Sequence, residues 1–222
     1  ALDFRHCNAA LVKQHYPLRP VQACLDAMGK AKFFTSLDAT QAFWNIPVSQ
    51  ETLDLGITNI NFGGSMGTWA MNGMPMGLQA ASAHYQKCMD LVLAGIQPDF
   101  CISYIDDVCI YSETWEEHLV HVATVLDRVG GVGIHFKPRK CVIGASSTRF
   151  LGFEVSAKGV VPDRNRVSSL VGMDVEALAK DIAALQNWIG VLQYYSRHIP
   201  RCALLMEPMQ ARSLAKCRGP VD

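Results

Sequence analysis

The chain has little charge and no excess of either sign. Charged residues make up 18% of its 222 residues, and 20 Lys and Arg balance 20 Asp and Glu. That balance excludes a basic nucleic-acid coat protein, while a locally basic groove stays compatible with it. No apolar run approaches the roughly 18 residues of a membrane span, and nothing near the start has the pattern of a secretory signal. An intracellular protein, not secreted and with no membrane partner, is therefore expected. Internal repeats, low-complexity tracts and flexible linkers are also missing. The eight cysteines contain no CxxC pair and have irregular spacing, which fits neither a zinc site nor a disulfide framework. Reduced thiols packed as small apolar groups are expected instead. His118 and His121 lack a third ligand nearby in sequence and read as part of a solvated helix face. The chain begins with Ala and opens mid-pattern, as an excerpt of a longer polypeptide would.

Hydrophobic residues make up 50% of the chain, enough for a real core in one or two domains. Residues 21–28 have helical spacing with Gly29 as a stop. Residues 33–38 (FFTSLD) read as a strand ending on an acid, and 48–67 as strands joined by turns. Residues 78–93 contain no Pro and one Gly-free run of helix formers, predicting a long buried helix. In residues 100–112 (FCISYIDDVCIYS) two apolar β-runs flank Asp106-Asp107, the layout of a hairpin with an acidic tip. Thr114 and Glu117 have capping-box spacing, and Leu119, Val122, Leu126 and Val129 mark an amphipathic face ending at Gly130-Gly131. Strands are expected over 140–143 and 149–155, and a last helical region over 175–195. The order predicts an α+β class, an antiparallel sheet with helices on one face.

Two adjacent carboxylates between apolar strands repel each other and lose hydration, costs that a cation offsets. An Asp-Asp pair is also a common plain turn, because Asp bonds its own backbone. Asp38, closing another apolar strand, shifts the balance toward chemistry. If that strand lies beside the hairpin, three carboxylates converge. Such oxygens suit Mg²⁺, and two ions roughly 3.5–4 Å apart stabilise an in-line phosphoryl displacement.

At these residues the chain resembles reverse transcriptases, and specifically gypsy-type LTR retrotransposon polymerases. Tyr104-Ile105-Asp106-Asp107 resembles the Y-x-D-D box. Asp3-Phe4-Arg5 with Asn8, Tyr16-Pro17-Leu18, the 31–46 segment and Met74-Pro75-Met76-Gly77-Leu78 are similar to successive family motifs. Lys137-Pro138-Arg139-Lys140-Cys141, the 150–156 segment (FLGFEVS) and Ile189-Gly190, Tyr194-Tyr195, Ile199-Pro200 continue the match in order.

The resemblance implies a right-hand polymerase: partial fingers over 1–30, palm over 31–50, fingers over 51–75, palm with both hairpins over 76–155, and the start of a thumb or connection over 156–222. It implies a retrotransposon polyprotein domain that adds dNTPs to a primer 3′ end on an RNA or DNA template. Flanking protease, RNase H and integrase would lie outside this chain. By motif, Asp38, Asp106 and Asp107 would bind two Mg²⁺ (or Mn²⁺), and Lys140 would protonate the leaving pyrophosphate. Arg5 would grip the triphosphate, with Gly77 at the substrate site. Phe43 would exclude a ribose hydroxyl beneath the incoming sugar, although on spacing alone it reads as an ordinary core aromatic. Tyr104, Phe150, Leu151 and Gly152 would contact nucleic acid, Gly152 allowing close backbone approach. Met76, Ala80 and Ser82 depart from the family's Phe, Asn and Pro. Trp44-Asn45 replaces His-Gln, and residues 55–58 depart from K-T-A-F. A catalytically impaired fragment that keeps the fold and nucleic-acid binding is the alternative, and another two-metal palm enzyme, such as a nucleotide cyclase, is a third reading.

Overall fold

The computed structural model describes residues 3–12, 15–61, 67–171 and 181–217. Its centre is a four-stranded antiparallel sheet in the order β4-β5-β1-β6. Strand β1 spans Phe33–Asp38, β4 Cys101–Tyr104, β5 Asp107–Ser112 and β6 Val142–Ala145. Strand β1 pairs with β5 from Phe33↔Ser112 to Asp38↔Asp107. Strand β6 joins through a register shift between Phe34 and Ser36. Gly144 sits in that irregularity at φ +64°, where a Cβ would meet the Trp115 ring at 2.6 Å.

Two helices cover one face of this sheet: α4 (Ala81–Val92) and α5 (Trp115–Gly131). Tyr85, Met89 and Leu93 from the α4 segment and Val125 and Val129 from α5 form one core with Leu37, Val108 and Ile110. Helix α5 starts with the expected capping box: Thr114 accepts from the Glu117 amide, and Glu117 reaches back to the Thr114 amide. Its buried face is the expected one at Val129, with Val122 also packed against the core, but not at the two leucines. Leu119 and Leu126 are exposed, while His118, Val125 and Val129 are buried. His118 is thus not on a solvated face. Its ring bonds the Thr35 hydroxyl at 2.7 Å and Ser112 at 2.9 Å, tying α5 to β1 and β5. His121 shares Ser112 at 2.8 Å and stacks on Phe100.

Three shorter helices precede α4: α1 (Arg5–Ala10), α2 (Val21–Ala27) and α3 (Gln50–Asp54), with the ribbon β2 (Asn59–Asn61) and β3 (Thr68–Ala70). The expectation of strands throughout 48–67 is corrected by α3. Ser49 accepts from the Thr52 amide and Glu51 lies in the first turn, so local capping holds a short helix there. Strands β7 (Ser147–Phe150), β8 (Phe153–Ser156) and β9 (Gly159–Pro162) form a second sheet in that order. The single strand expected over 149–155 is therefore a hairpin. Leu151 and Gly152, at φ +49° and +77°, make its two-residue turn.

By contact density the chain divides into two compact units, 1–151 with 155–159, and 152–154 with 160–222. The second holds α6 (Arg164–Val171), α7 (Ile182–Tyr194) and α8 (Cys202–Cys217). Residues 175–180 of the expected last helix lie outside the described residues. Asp181 caps α7 through the Ala183 and Ala184 amides. The described thiols, Cys7, Cys24, Cys88, Cys101, Cys109, Cys141 and Cys202, are all free.

Candidate active site

Tyr104, Asp107 and Asp38 occupy one row across three strands. Tyr104 pairs with Asp107 and Asp107 with Asp38, so cross-strand alternation puts all three side chains on one face. Leu37 and Val108, the next pair along, point to the opposite face and into the core. The hairpin tip lies one residue earlier than its sequence suggests. Ile105 and Asp106 form the turn, and Asp107 already belongs to β5. Ile105 has φ +53°, a costly conformation for a β-branched residue. Gln86 of α4 holds it there: its Oε1 accepts from the Ile105 amide at 2.7 Å, and its Nε2 donates to the Ser103 carbonyl at 3.2 Å. The Asp106 carbonyl accepts from the Ala39 amide at 3.3 Å, joining the tip to the end of β1.

Asp106 is half-buried, and its Oδ1 is buried with no hydrogen-bond partner among the described residues. Burial raises its carboxyl pKa above the ordinary value, and the nearby Asp38 charge adds to the rise. Of the two costs expected for these carboxylates, lost hydration outweighs repulsion at Asp106. On the other side of Asp38 the chain supplies cations. The Lys137 amide donates to the Asp38 carbonyl at 2.9 Å, fixing the following 3₁₀ turn, Pro138–Lys140. Lys140 Nζ then lies 3.3 Å from Asp38 Oδ2, and Lys137 Nζ 4.0 Å from Oδ1. These pairs are exposed enough for water to screen them, so they steer charge more than they stabilise the fold.

The other sequence-selected residues fall at separate places. Phe43 is half-buried against the core, its ring edge-on to Tyr85 at 5.6 Å. Arg5 is ion-paired to Asp3 at 2.6 Å, with its side chain 89% exposed. Gly77, at φ +99°, receives α1: its carbonyl accepts from Asn8 at 2.9 Å and Phe4 packs beside it. Phe150 is buried, and Leu151 and Gly152 form the turn already described. A Cβ on Gly152 would meet Tyr195 Oη at 3.0 Å and Arg166 at 3.1 Å. Within the chain, side chains rather than backbone crowd this glycine. Sequence reading missed Gln86 and Tyr85, both buried on α4. The helix expected to be buried along its length is instead two-sided, with Ser82, His84, Lys87 and Leu91 exposed, so nothing in its sequence set this pair apart.

The residues fit a divalent cation. An orphaned, half-desolvated carboxylate oxygen beside a second carboxylate is the environment that a metal neutralises. Among the described residues no three His, Cys, Asp or Glu side chains are gathered to hold an ion unaided. That suits Mg²⁺, which takes one or two protein carboxylates and completes its shell from substrate phosphates and water.

Residues 1–155 match the family model described as "Reverse transcriptase (RNA-dependent DNA polymerase)". The chain belongs to the reverse transcriptase family. It is 28% identical to the Retrovirus-related Pol polyprotein from transposon 297 of Drosophila melanogaster, over 221 residues covering 100% of this chain and 20% of that protein. It is 28% identical over 211 residues to the Enzymatic polyprotein of Cauliflower mosaic virus (strain Strasbourg), covering 95% of this chain and 30% of that one. The chain thus spans a third or less of these relatives. The foamy viral protease-reverse transcriptase in complex with double-stranded DNA superposes with a TM-score of 0.80 at 18% identity. The match covers 94% of this chain and 35% of that one. The RNA/DNA-hybrid complex of the foamy viral protein gives 0.73 at 18% identity, over 95% and 28%. The fold of this reverse transcriptase domain is accordingly the α+β fingers and palm of a polymerase.

Proposed function

We propose that the chain is the RNA-directed DNA polymerase domain of a gypsy-type LTR retrotransposon polyprotein, adding dNTPs to the primer 3′ end on an RNA or DNA template. The observation that carries this reading is the Asp38↔Asp107 pairing with the orphaned Asp106 oxygen beside it. Asp38 and Asp106, with Asp107 completing the set, would hold Mg²⁺, with Mn²⁺ as a substitute. When bound, two such ions stabilise the attacking and leaving oxygens of an in-line phosphoryl transfer. Lys140, whose Nζ lies 3.3 Å from Asp38 Oδ2, would be the ammonium that donates a proton to the leaving pyrophosphate. Phe43 sets the floor under the incoming sugar. Gly77 and the α1 segment with Arg5 border the triphosphate, Arg5 exchanging Asp3 for phosphate. Tyr104, in the row with the acids, and the Phe150-Leu151-Gly152 turn would hold the primer end. On this reading 1–30 and 51–75 are fingers, 31–50 and 76–155 palm, and 156–222 begin the thumb or connection. Protease, RNase H and integrase would be neighbouring polyprotein domains.

The test is extension of a primed RNA template with dNTPs and Mg²⁺. Extension by the wild-type chain and a loss of about 10²–10³-fold or more in Asp106→Asn support the reading. Salt-sensitive primer-template binding without extension would instead support the impaired-fragment alternative.

A further inference from the structure

Tyr85 is fully buried in the middle of α4, yet its hydroxyl has no hydrogen-bond partner among the described residues. Its ring lies in an apolar cluster with Met89, Val108 and Leu37. A phenylalanine would fill that space equally well, so packing does not account for the oxygen. The next residue, Gln86, already grips the Ile105 amide, which puts this turn of α4 directly beneath the hairpin tip. Asp106, the following residue of the tip, carries another of the orphaned buried oxygens, and its negative charge acts on the Tyr85 hydroxyl. A buried donor and a buried acceptor, each lacking a partner and within electrostatic reach, are complementary.

We propose that Tyr85 is a positioning residue for Asp106, its hydroxyl supplying the donor that the buried carboxylate oxygen lacks, relayed by one water. The relay is needed because neither atom lies within hydrogen-bond distance of the other. Water accepts from the tyrosine and donates to the carboxylate at little energetic loss. Oδ1 has two lone pairs, so one takes this hydrogen bond and the other stays available to a cation. The bond limits rotation of the carboxylate and orients it before the metal arrives. This inference rests on the reading of Asp106 as a metal ligand.

The test compares wild type, Tyr85→Phe and Asp106→Asn. The readouts are Mn²⁺ affinity by electron paramagnetic resonance without nucleotide, metal-free Tm, and kcat and KM for a matched dNTP. Tyr85→Phe is expected to weaken Mn²⁺ binding about 10-fold and lower kcat by a similar factor, as for a lost hydrogen bond to a charged group. KM for dNTP should stay within about 2-fold, and the metal-free Tm should fall only modestly, because Asp106 Oδ1 loses one relayed hydrogen bond while the apolar packing is kept. Unchanged Mn²⁺ affinity and kcat in Tyr85→Phe, with Asp106→Asn defective in Mn²⁺ binding, would overturn this inference alone. A lowered metal-free Tm with kcat and KM both disturbed would assign Tyr85 to packing and overturn it too. Equal Mn²⁺ affinity in wild type and Asp106→Asn would overturn the metal-site reading and this inference with it.

Discussion

Two influences oppose ionisation of Asp106: its burial and, after that, the charge of Asp38. Because its folded-state pKa is raised, the folded chain binds this proton more tightly than the unfolded chain does. Metal-free stability therefore falls as pH rises from the ordinary carboxyl value through the raised one, and stays reduced above it. Asp106→Asn removes that dependence. Thermal melts in EDTA across pH 4 to 8 should show the variant more stable than wild type at neutral pH, with the two converging in acid. The same substitution should cut extension by about 10²–10³-fold or more, so stability and activity are expected to move in opposite directions at this residue. Phe43 offers a second test. Its half-burial against Tyr85 suits a floor with one face packed and one open. Phe43→Ala should cost about 3 kcal/mol and raise the rNTP-to-dNTP ratio of kcat/KM, which reports differential transition-state binding. An unchanged ratio with a lower Tm would make Phe43 a core residue only.

The palm elements are joined by polar clasps as well as by apolar packing. His118 links α5 to β1 through Thr35 and to β5 through Ser112. His118→Ala should cost about 2–4 kcal/mol, from the cavity and the two hydrogen bonds lost to Thr35 and Ser112. Burial, and secondarily the His121 charge, lower the His118 pKa. The folded chain then resists a proton that the unfolded chain accepts, so stability is lost as pH falls below about 6.5. Denaturant midpoints between pH 7.5 and 5.5 should show that slope reduced in His118→Gln. Much of this element layer was legible in sequence. The FFTSLD strand, the acidic hairpin and the Thr114 capping box each carried a local signal strong enough to survive tertiary context. What failed was phase. The buried face of α5 runs His118, Val125, Val129 rather than through Leu119 and Leu126, because a histidine satisfied by two hydroxyls packs as a core residue. The tip likewise moved by one residue. A positive φ at Ile105 is locally unfavourable, and the bond from its amide to Gln86, 19 positions away, holds it there. The row of acids was inferable from strand ends; the orphaned oxygens of Tyr85 and Asp106 had no sequence signature.

For the molecule as a whole, zero net charge conceals an uneven distribution. Lys137 and Lys140 are gathered at Asp38, while Glu113, Glu117, Asp26 and Asp99 outnumber the single lysine, Lys30, around a separate cavity of about 320 Å³. Primer-template affinity should fall log-linearly with salt, by roughly 0.7–0.9 per phosphate neutralised. Lys137→Ala and Lys140→Ala should each lower that slope by about one contact, measured by fluorescence anisotropy. A flat response would remove the basic groove from the account. The hairpin tip has one further consequence. Its strained turn is not a property of the segment, since the bond that maintains it comes from a helix. A peptide of the hairpin alone lacks the Gln86 bond to Ile105, so the tip keeps its turn only while that side chain stays in place. The Ile105 amide is consequently a built-in clock. Its exchange with deuterium requires that bond to open, and the lifetime of that single proton measures how long the tip beside Asp106 holds its shape between local openings.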